Sequence, residues 1–136
     1  KIIKNYEIII DGSDNFKTKF LVNDYCIKLK KKLIVGAISK FQGHIFTFNF
    51  KNGKTPCLQC FYQSIPSDEI LSCEADGVIG PIATLIGSIK SSEILKMILQ
   101  IGKNNFGKIY IFDLLTLNSR SIKFDKKNNC ICKKYS

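Results

Sequence analysis

Four of the six cysteines stand in two close pairs, Cys57-Leu58-Gln59-Cys60 and Cys130-Ile131-Cys132. Two thiol pairs separated by a globular stretch suggest a four-thiolate zinc site that ties a tail to a loop, because zinc accepts tetrahedral sulfur and needs no redox chemistry. The second pair has one intervening residue rather than the usual two, and ordinary free or buried thiols are the alternative. A second constellation is Asp11-Gly12-Ser13-Asp14-Asn15. It follows the apolar run Tyr6-Glu7-Ile8-Ile9-Ile10 and precedes a helical pattern, so it reads as the carboxyl end of a strand. Ligands of open α/β sheets sit at that edge. Two carboxylates there could hold Mg²⁺ beside a phosphate chain, or Asp14 could simply cap the helix, as could Ser13 or Asn15. The third is Cys73, within Ser72-Cys73-Glu74 ahead of the longest helical stretch. A thiol near a helix N-terminus is acidified and can act as a nucleophile; a buried, inert cysteine is the alternative. Cys26 falls inside a helix and reads as core. His44, the single histidine, has no acid or metal partner in sequence and receives no role.

The elements that must carry these residues follow from periodicity. Residues 6–10 read as a buried strand and Asn15 to Leu29 as a helix, with Phe16, Phe20, Leu21, Val22 and Ile27 on its apolar face. Leu33 to Ile38 is a second buried strand. Strand, helix and strand at this spacing imply a parallel βαβ unit. Gly43 to Phe50 alternates and reads as an antiparallel partner. Residues 51–76, rich in Cys, Pro, Ser and Gly, form one irregular segment, and residues 127–136 form a cysteine-bearing tail. Val78 to Gln100 is helical, with a break expected near Pro81 or Gly87 and an end at Gly102. Ile82, Leu85, Ile86, Ile89, Ile94, Leu95 and Ile98 recur at helical spacing and core packing suffices to explain them, with Lys90 and Lys96 on the solvent side. Lys108 to Asp113 and Ser119 to Phe124 form a strand pair. The whole, residues 1–136, is read as a single domain.

Composition narrows the classes. A hydrophobic fraction of 45% and a charged fraction of 24% are ordinary for a globular domain and argue against disorder. The net charge is +10, but the lysines are scattered; only Lys30-Lys31-Lys32 forms a run, at an expected helix end. A nucleic-acid-binding zinc protein is disfavoured, because the loops lack interleaved aromatic and arginine residues. No stretch approaches the roughly 20 apolar residues that span a membrane, and Lys1-Ile2-Ile3-Lys4 does not open a signal peptide. The expected location is the cytoplasm or an organelle stroma. No G-x-G-x-x-G and no Walker-type G-x-x-x-x-G-K occurs. Either no nucleotide is bound, or the chain is the second half of something larger.

Six ordered blocks carry a resemblance: Ile10 to Asp24, Val35 to Asn49, Cys57 to Cys60, Ser72 to Ser88, Glu93 to Gly102 and Gly107 to Thr116. Together they resemble the ThiF/MoeB/HesA family, relatives of ubiquitin-activating enzymes. The resemblance implies the C-terminal half of a Rossmann-like α/β fold with a mixed sheet and a zinc-bound tail, the N-terminal nucleotide-binding half being absent. It implies ATP-dependent adenylation of the C-terminal Gly-Gly carboxylate of a ubiquitin-like, ThiS- or MoaD-type sulfur carrier in thiamin or molybdenum-cofactor biosynthesis, by a homodimer. Asp14, flanked by Asn15, would hold Mg²⁺-ATP. Cys57, Cys60, Cys130 and Cys132 would hold zinc, and Cys73 would match the cysteine that does thiol chemistry in some members. This chain alone is expected to be inactive. A non-catalytic remnant or binding module for a sulfur carrier or partner subunit is the alternative.

Overall fold

The computed structural model describes residues 2–62, 64–66 and 77–135. A 3₁₀ turn over Ile2–Asn5 precedes β1 (Ile8–Asp11), α1 (Phe16–Lys28), β2 (Lys32–Ser39) and β3 (Gln42–Asn49). There follow the one-turn helix α2 (Leu58–Phe61), the long α3 (Gly80–Leu99), β4 (Lys108–Asp113), β5 (Asn118–Lys123) and a one-turn α4 (Ile131–Lys134).

The five strands form one sheet in chain order, β1-β2-β3-β4-β5. β1 and β2 are parallel, with Ile10 opposite Ile34, as the helical crossover requires. β2, β3, β4 and β5 then run as an antiparallel meander. The expected mixed α/β sheet is therefore present. One consequence positions the site. β1, β2 and β4 point the same way, so Asp11, Ser39 and Asp113 end at one edge of the sheet, where β3 begins at Gln42.

Alternation along each inner strand serves two cores. Leu33, Val35 and Ala37 of β2, Phe46 and Phe48 of β3 and Ile109 of β4 face α1, α2 and the tail. Ile34 and Ile45 face α3, where they meet Ile82, Ile86 and Met97. Burial on both faces explains why β2 reads as an unbroken apolar run. β1 departs from the expectation of a buried strand: it lies at the sheet's edge, and Ile10 is 49% exposed. β5, Asn-Ser-Arg-Ser-Ile-Lys, is exposed throughout and polar, as an edge should be.

α3 is unbroken. Pro81 sits in its first turn, where the missing N–H costs nothing, and Gly87 is accommodated within the helix. It ends two residues before Gly102: Gln100 takes the left-handed conformation, φ 56°, and closes the helix. Leu95 and Ile98 depart from the expected core stripe: they lie on the outer side of the helix and are exposed, as is Leu99.

Candidate functional site

The turn Asp11 to Asn15 is where sequence reasoning placed chemistry, and the structure divides its residues sharply. Asp11 is 4% exposed and cannot serve as a free metal ligand, because its carboxylate is occupied. Lys19, 1% exposed and one turn into α1, sends Nζ to Asp11 Oδ2 at 2.7 Å, to the Ser13 carbonyl at 2.6 Å and to the Gly36 carbonyl at 2.7 Å. All three ammonium hydrogens are thereby used. Ser13 adds its hydroxyl to Asp11 Oδ1 at 2.7 Å. Asn15, rather than Ser13 or Asp14, caps α1: its Oδ1 accepts from the Thr18 N–H at 2.8 Å. Asp14 is released from structural duty. It is exposed, and its Oδ1 accepts only from Asn15 Nδ2, at 3.2 Å, among the described residues.

A cleft of about 200 Å³ opens beside this turn, between the ends of β1 and β2 and α3. Small residues shape it, Gly12, Gly36, Ala83 and Gly87, with Asp14 at one side and Lys90 at another. The placement of Lys90 corrects the solvent-side expectation. Its Nζ donates to the Asp11 carbonyl at 2.8 Å, so α3 and α1 each contribute one lysine to the same turn from opposite faces of the sheet. Burial lowers the Lys90 ammonium from its usual range; the Asp11 charge works against that shift and Lys19 works with it. Lys96 is also not purely solvent-facing, being half-buried and bonded to Glu93 and to the Lys103 carbonyl at 3.0 Å.

Neither Lys19 nor Lys90 was singled out as functional from sequence. For Lys19 a signal existed: Phe16, Lys19, Phe20, Asn23, Cys26 and Ile27 share the buried side of α1. A lysine and an asparagine at core-facing helical positions demand buried partners. Asn23 finds one too, accepting the Leu58 N–H at 3.0 Å.

The two cysteine pairs converge. Cys57 Sγ lies 3.3 Å from Cys130 Sγ and 3.8 Å from Cys60 Sγ, and Cys60 Sγ lies 3.4 Å from Cys132 Sγ. All four sulfurs fall within 4.8 Å of one another, and all are buried. A tetrahedral ion with sulfurs at about 2.3 Å spaces them about 3.8 Å apart, so the donor set and its size fit a thiophilic metal. The short C-x-C spacing works because Cys130 immediately precedes the one-turn α4 and Cys132 lies inside it; Cys57 and Cys60 use α2 in the same way. Hydrogen bonds from Cys132 and then Cys57 push the Cys60 thiol below its ordinary range, and those from Cys132 and then Cys60 push Cys57 up. Cys26 is buried, and desolvation pushes its thiol up to about 12, in keeping with a core role. Cys73 lies outside the described residues. His44 is half-buried on β3, and burial, followed by the charge of Arg120, lowers its pKa.

None of the described helices is long and apolar enough to cross a membrane.

Comparison with known proteins places this geometry. The chain is 35% identical over 133 residues to the adenylyltransferase and sulfurtransferase MOCS3 of Dictyostelium discoideum, covering 96% of this chain and 31% of that protein. It is 34% identical over 134 residues to the sulfur carrier protein adenylyltransferase of Thermus thermophilus, covering 96% of this chain and 49% of that protein. The chain therefore spans about a third to a half of these relatives. Among solved structures, E. coli MccB with ATP superposes with a TM-score of 0.77 at 16% identity, over 93% of this chain and 39% of that one, a likeness of fold. The ThiF family model matches residues 1–134. With that match covering nearly every position, from the β1 edge through the cysteine tail, the chain belongs to the ThiF family.

Proposed function

We propose that this chain supplies part of an adenylylating unit that activates the C-terminal carboxylate of a ubiquitin-like sulfur carrier. The rest of the nucleotide site would come from sequence outside these residues, since no phosphate-loop glycine motif lies among them. One observation carries the reading. Lys19 neutralises Asp11 and fixes the turn, which leaves Asp14 exposed at the strand edge beside a cleft walled by small residues.

The chemistry asks for that arrangement. A carboxylate oxygen attacks the α-phosphorus of ATP, the bond to the bridging oxygen breaks, and pyrophosphate leaves. Attack of one anion on another is disfavoured until nearby positive charge offsets it and aligns the reactants. A single exposed carboxylate beside a phosphate-sized space suits Mg²⁺, which usually takes one or two protein carboxylates and completes its shell with phosphate oxygens and water. Bound there, the ion would supply charge neutralisation on the phosphates. Asp14 would be its protein ligand. Asn15, capping α1, would keep Asp14 at the mouth of the cleft. The cysteine cluster would hold zinc in a structural role, because it offers four buried thiols and no open position. Assembly as a homodimer is part of the same proposal.

Carrier-dependent exchange of labelled pyrophosphate into ATP tests the reading, with this chain joined to its complementary nucleotide-binding segment. Exchange should require the carrier's terminal Gly-Gly and should fall at least a hundredfold in Asp14→Asn. Undiminished exchange in that variant, or exchange indifferent to carrier truncation, would defeat it. The relatives support the same class, one being an adenylyltransferase and sulfurtransferase and the other a sulfur carrier protein adenylyltransferase.

A further inference from the structure

We propose that Lys90 is the oxyanion-binding residue of the cleft, presenting two N–H donors to a carboxylate or phosphate oxygen of the ligand. The inference deepens the adenylation reading and takes the ligand's identity from it.

Donor accounting leads to this assignment. An ammonium group offers three hydrogens. At Lys19 all three are matched by acceptors at 2.6–2.7 Å. At Lys90, equally an ammonium and half-buried, one hydrogen reaches the Asp11 carbonyl at 2.8 Å. Among the described residues no second acceptor meets it. The Asp11 carboxylate is turned to other partners, Oδ2 to Lys19 and Oδ1 to Ser13, and Lys90 reaches only the carbonyl of that residue. Two donors of a half-buried cation at the wall of a cleft are thus left for whatever occupies it, and an anion would match both the charge and the donors.

The packing around Lys90 is built for that position. A Cβ on Gly36 would sit 2.9 Å from Lys90 Cδ and 3.2 Å from its Nζ, so the lysine stem lies flat against a strand that must be bare there. At Gly12 the fit is looser: a Cβ there would lie 3.8 Å from Nζ, in ordinary contact. On the helix side a Cβ on Gly87 would meet nothing within 4 Å. The slot beside the ammonium is lined by the small residues Gly12, Gly36, Ala83 and Gly87, with Ile86 and Asp14 also on its wall. It admits a slim group that ends in an oxyanion: an unbranched chain terminus or a phosphate. Lys19 and Asp11 neutralise each other, so the charges left facing the slot are the Lys90 ammonium on one side and the Asp14 carboxylate on the other.

The two sources of that oxyanion are separable by experiment on the chain itself. With isotope-labelled lysine, the Lys90 Nζ and Cε resonances are followed while three probes are added: a peptide ending in Gly-Gly carboxylate, the same peptide as a C-terminal amide, and inorganic pyrophosphate. Saturable shifts of Lys90 with the free carboxylate but not the amide assign the slot to the carrier terminus. Shifts with pyrophosphate alone assign it to the nucleotide. Either supports the proposal. Lys90→Gln, which keeps one donor for the Asp11 carbonyl, should weaken the effective probe roughly tenfold or more, whereas Lys96→Gln should not. Unaltered Lys90 resonances with every probe, or equal affinity in Lys90→Gln at unchanged fold and metal content, would overturn it. The parent reading fails differently. If Lys90 binds the probe but no carrier-dependent pyrophosphate exchange occurs, adenylation falls and the anion site stands. If exchange proceeds in Lys90→Gln with unchanged KM and kcat, the site falls and adenylation stands.

Discussion

Replacing Lys19 by methionine should be among the most damaging single changes in this domain. The substitution keeps the length and apolar stem of the side chain and removes only the ammonium. That ammonium is almost fully buried and meets a carboxylate and two carbonyls at 2.6–2.7 Å. Removing one partner of a buried ion pair costs about 3–5 kcal/mol, because the other charge is left without compensation. The freed Ser13 and Gly36 carbonyls add to the loss, while water entering from the neighbouring cleft recovers part of it. A net cost of about 4 kcal/mol is expected, a large share of the roughly 5–15 kcal/mol that holds a domain together. At this length that is a fall in melting temperature of roughly 12–20 °C. The assay is urea unfolding followed by far-ultraviolet circular dichroism at fixed free zinc, so that metal linkage does not enter the comparison. Asp11→Asn and the double variant complete a cycle. Because the double variant removes both charges, its loss should be at least about 1.5 kcal/mol smaller than the sum of the single losses. A loss below about 1 kcal/mol in Lys19→Met, or strictly additive costs, would refute the argument that the pair holds the turn.

Three further outcomes are expected. Elemental analysis should find about one zinc per chain, lost in both Cys57→Ser and Cys130→Ser; retention in either variant would show that the two pairs do not act as one site. Gly43→Ala should cost about 1–3 kcal/mol in the same urea assay, because its Cβ would fall 2.4 Å from Cδ1 and Cγ1 of Ile86, inside the packed face of β3 and α3; a neutral effect would mean that α3 shifts freely on the sheet. His44 titrates below its ordinary 6.5 in the folded chain, first because it is buried and then because Arg120 is near. Unfolding therefore takes up a proton as pH falls through 6.5, and stability drops until the folded pKa is passed. His44→Gln should remove that component, which urea midpoints at pH 7.5, 6.5 and 5.5 would show; parallel profiles for the two proteins would contradict it.

How far the sequence anticipated the molecule depends on what kind of physics placed each residue. β2 was legible because burial on both faces leaves an apolar run, and the βαβ unit because its spacing permits little else. The cysteine cluster was legible as a pattern, since thiols in two close pairs suggest a shared ligand. The odd C-x-C spacing became intelligible only with the one-turn α4, too short to announce itself by periodicity. The cap of α1 stayed three-way ambiguous, because Ser13, Asp14 and Asn15 all have suitable side chains and only backbone geometry selects among them. Lys90 was opaque for a different reason. On a helix as apolar as α3, a lysine is naturally assigned to the solvent side, and nothing local reveals that Gly36, about 50 residues earlier, leaves room for it. Long-range complementarity of that kind is invisible until the elements are assembled.

Tyr62 gives the molecule a built-in optical reporter. Its ring lies 5.3 Å from Phe16, 6.1 Å from Phe20 and from Phe46, and 4.9 Å from Phe61. It thus sits where α1, the central sheet and the cysteine-bearing α2 meet. Burial raises its phenol to about 12, so it stays un-ionised across any working buffer. The chain has no tryptophan, so no indole band masks the tyrosines in the near ultraviolet. An immobilised, asymmetrically surrounded tyrosine gives a strong dichroic signal there, and the signal vanishes when packing loosens even if secondary structure survives. Loss of metal from α2 and loosening of the first turn of α1 should therefore both register in this one band, without any label being attached.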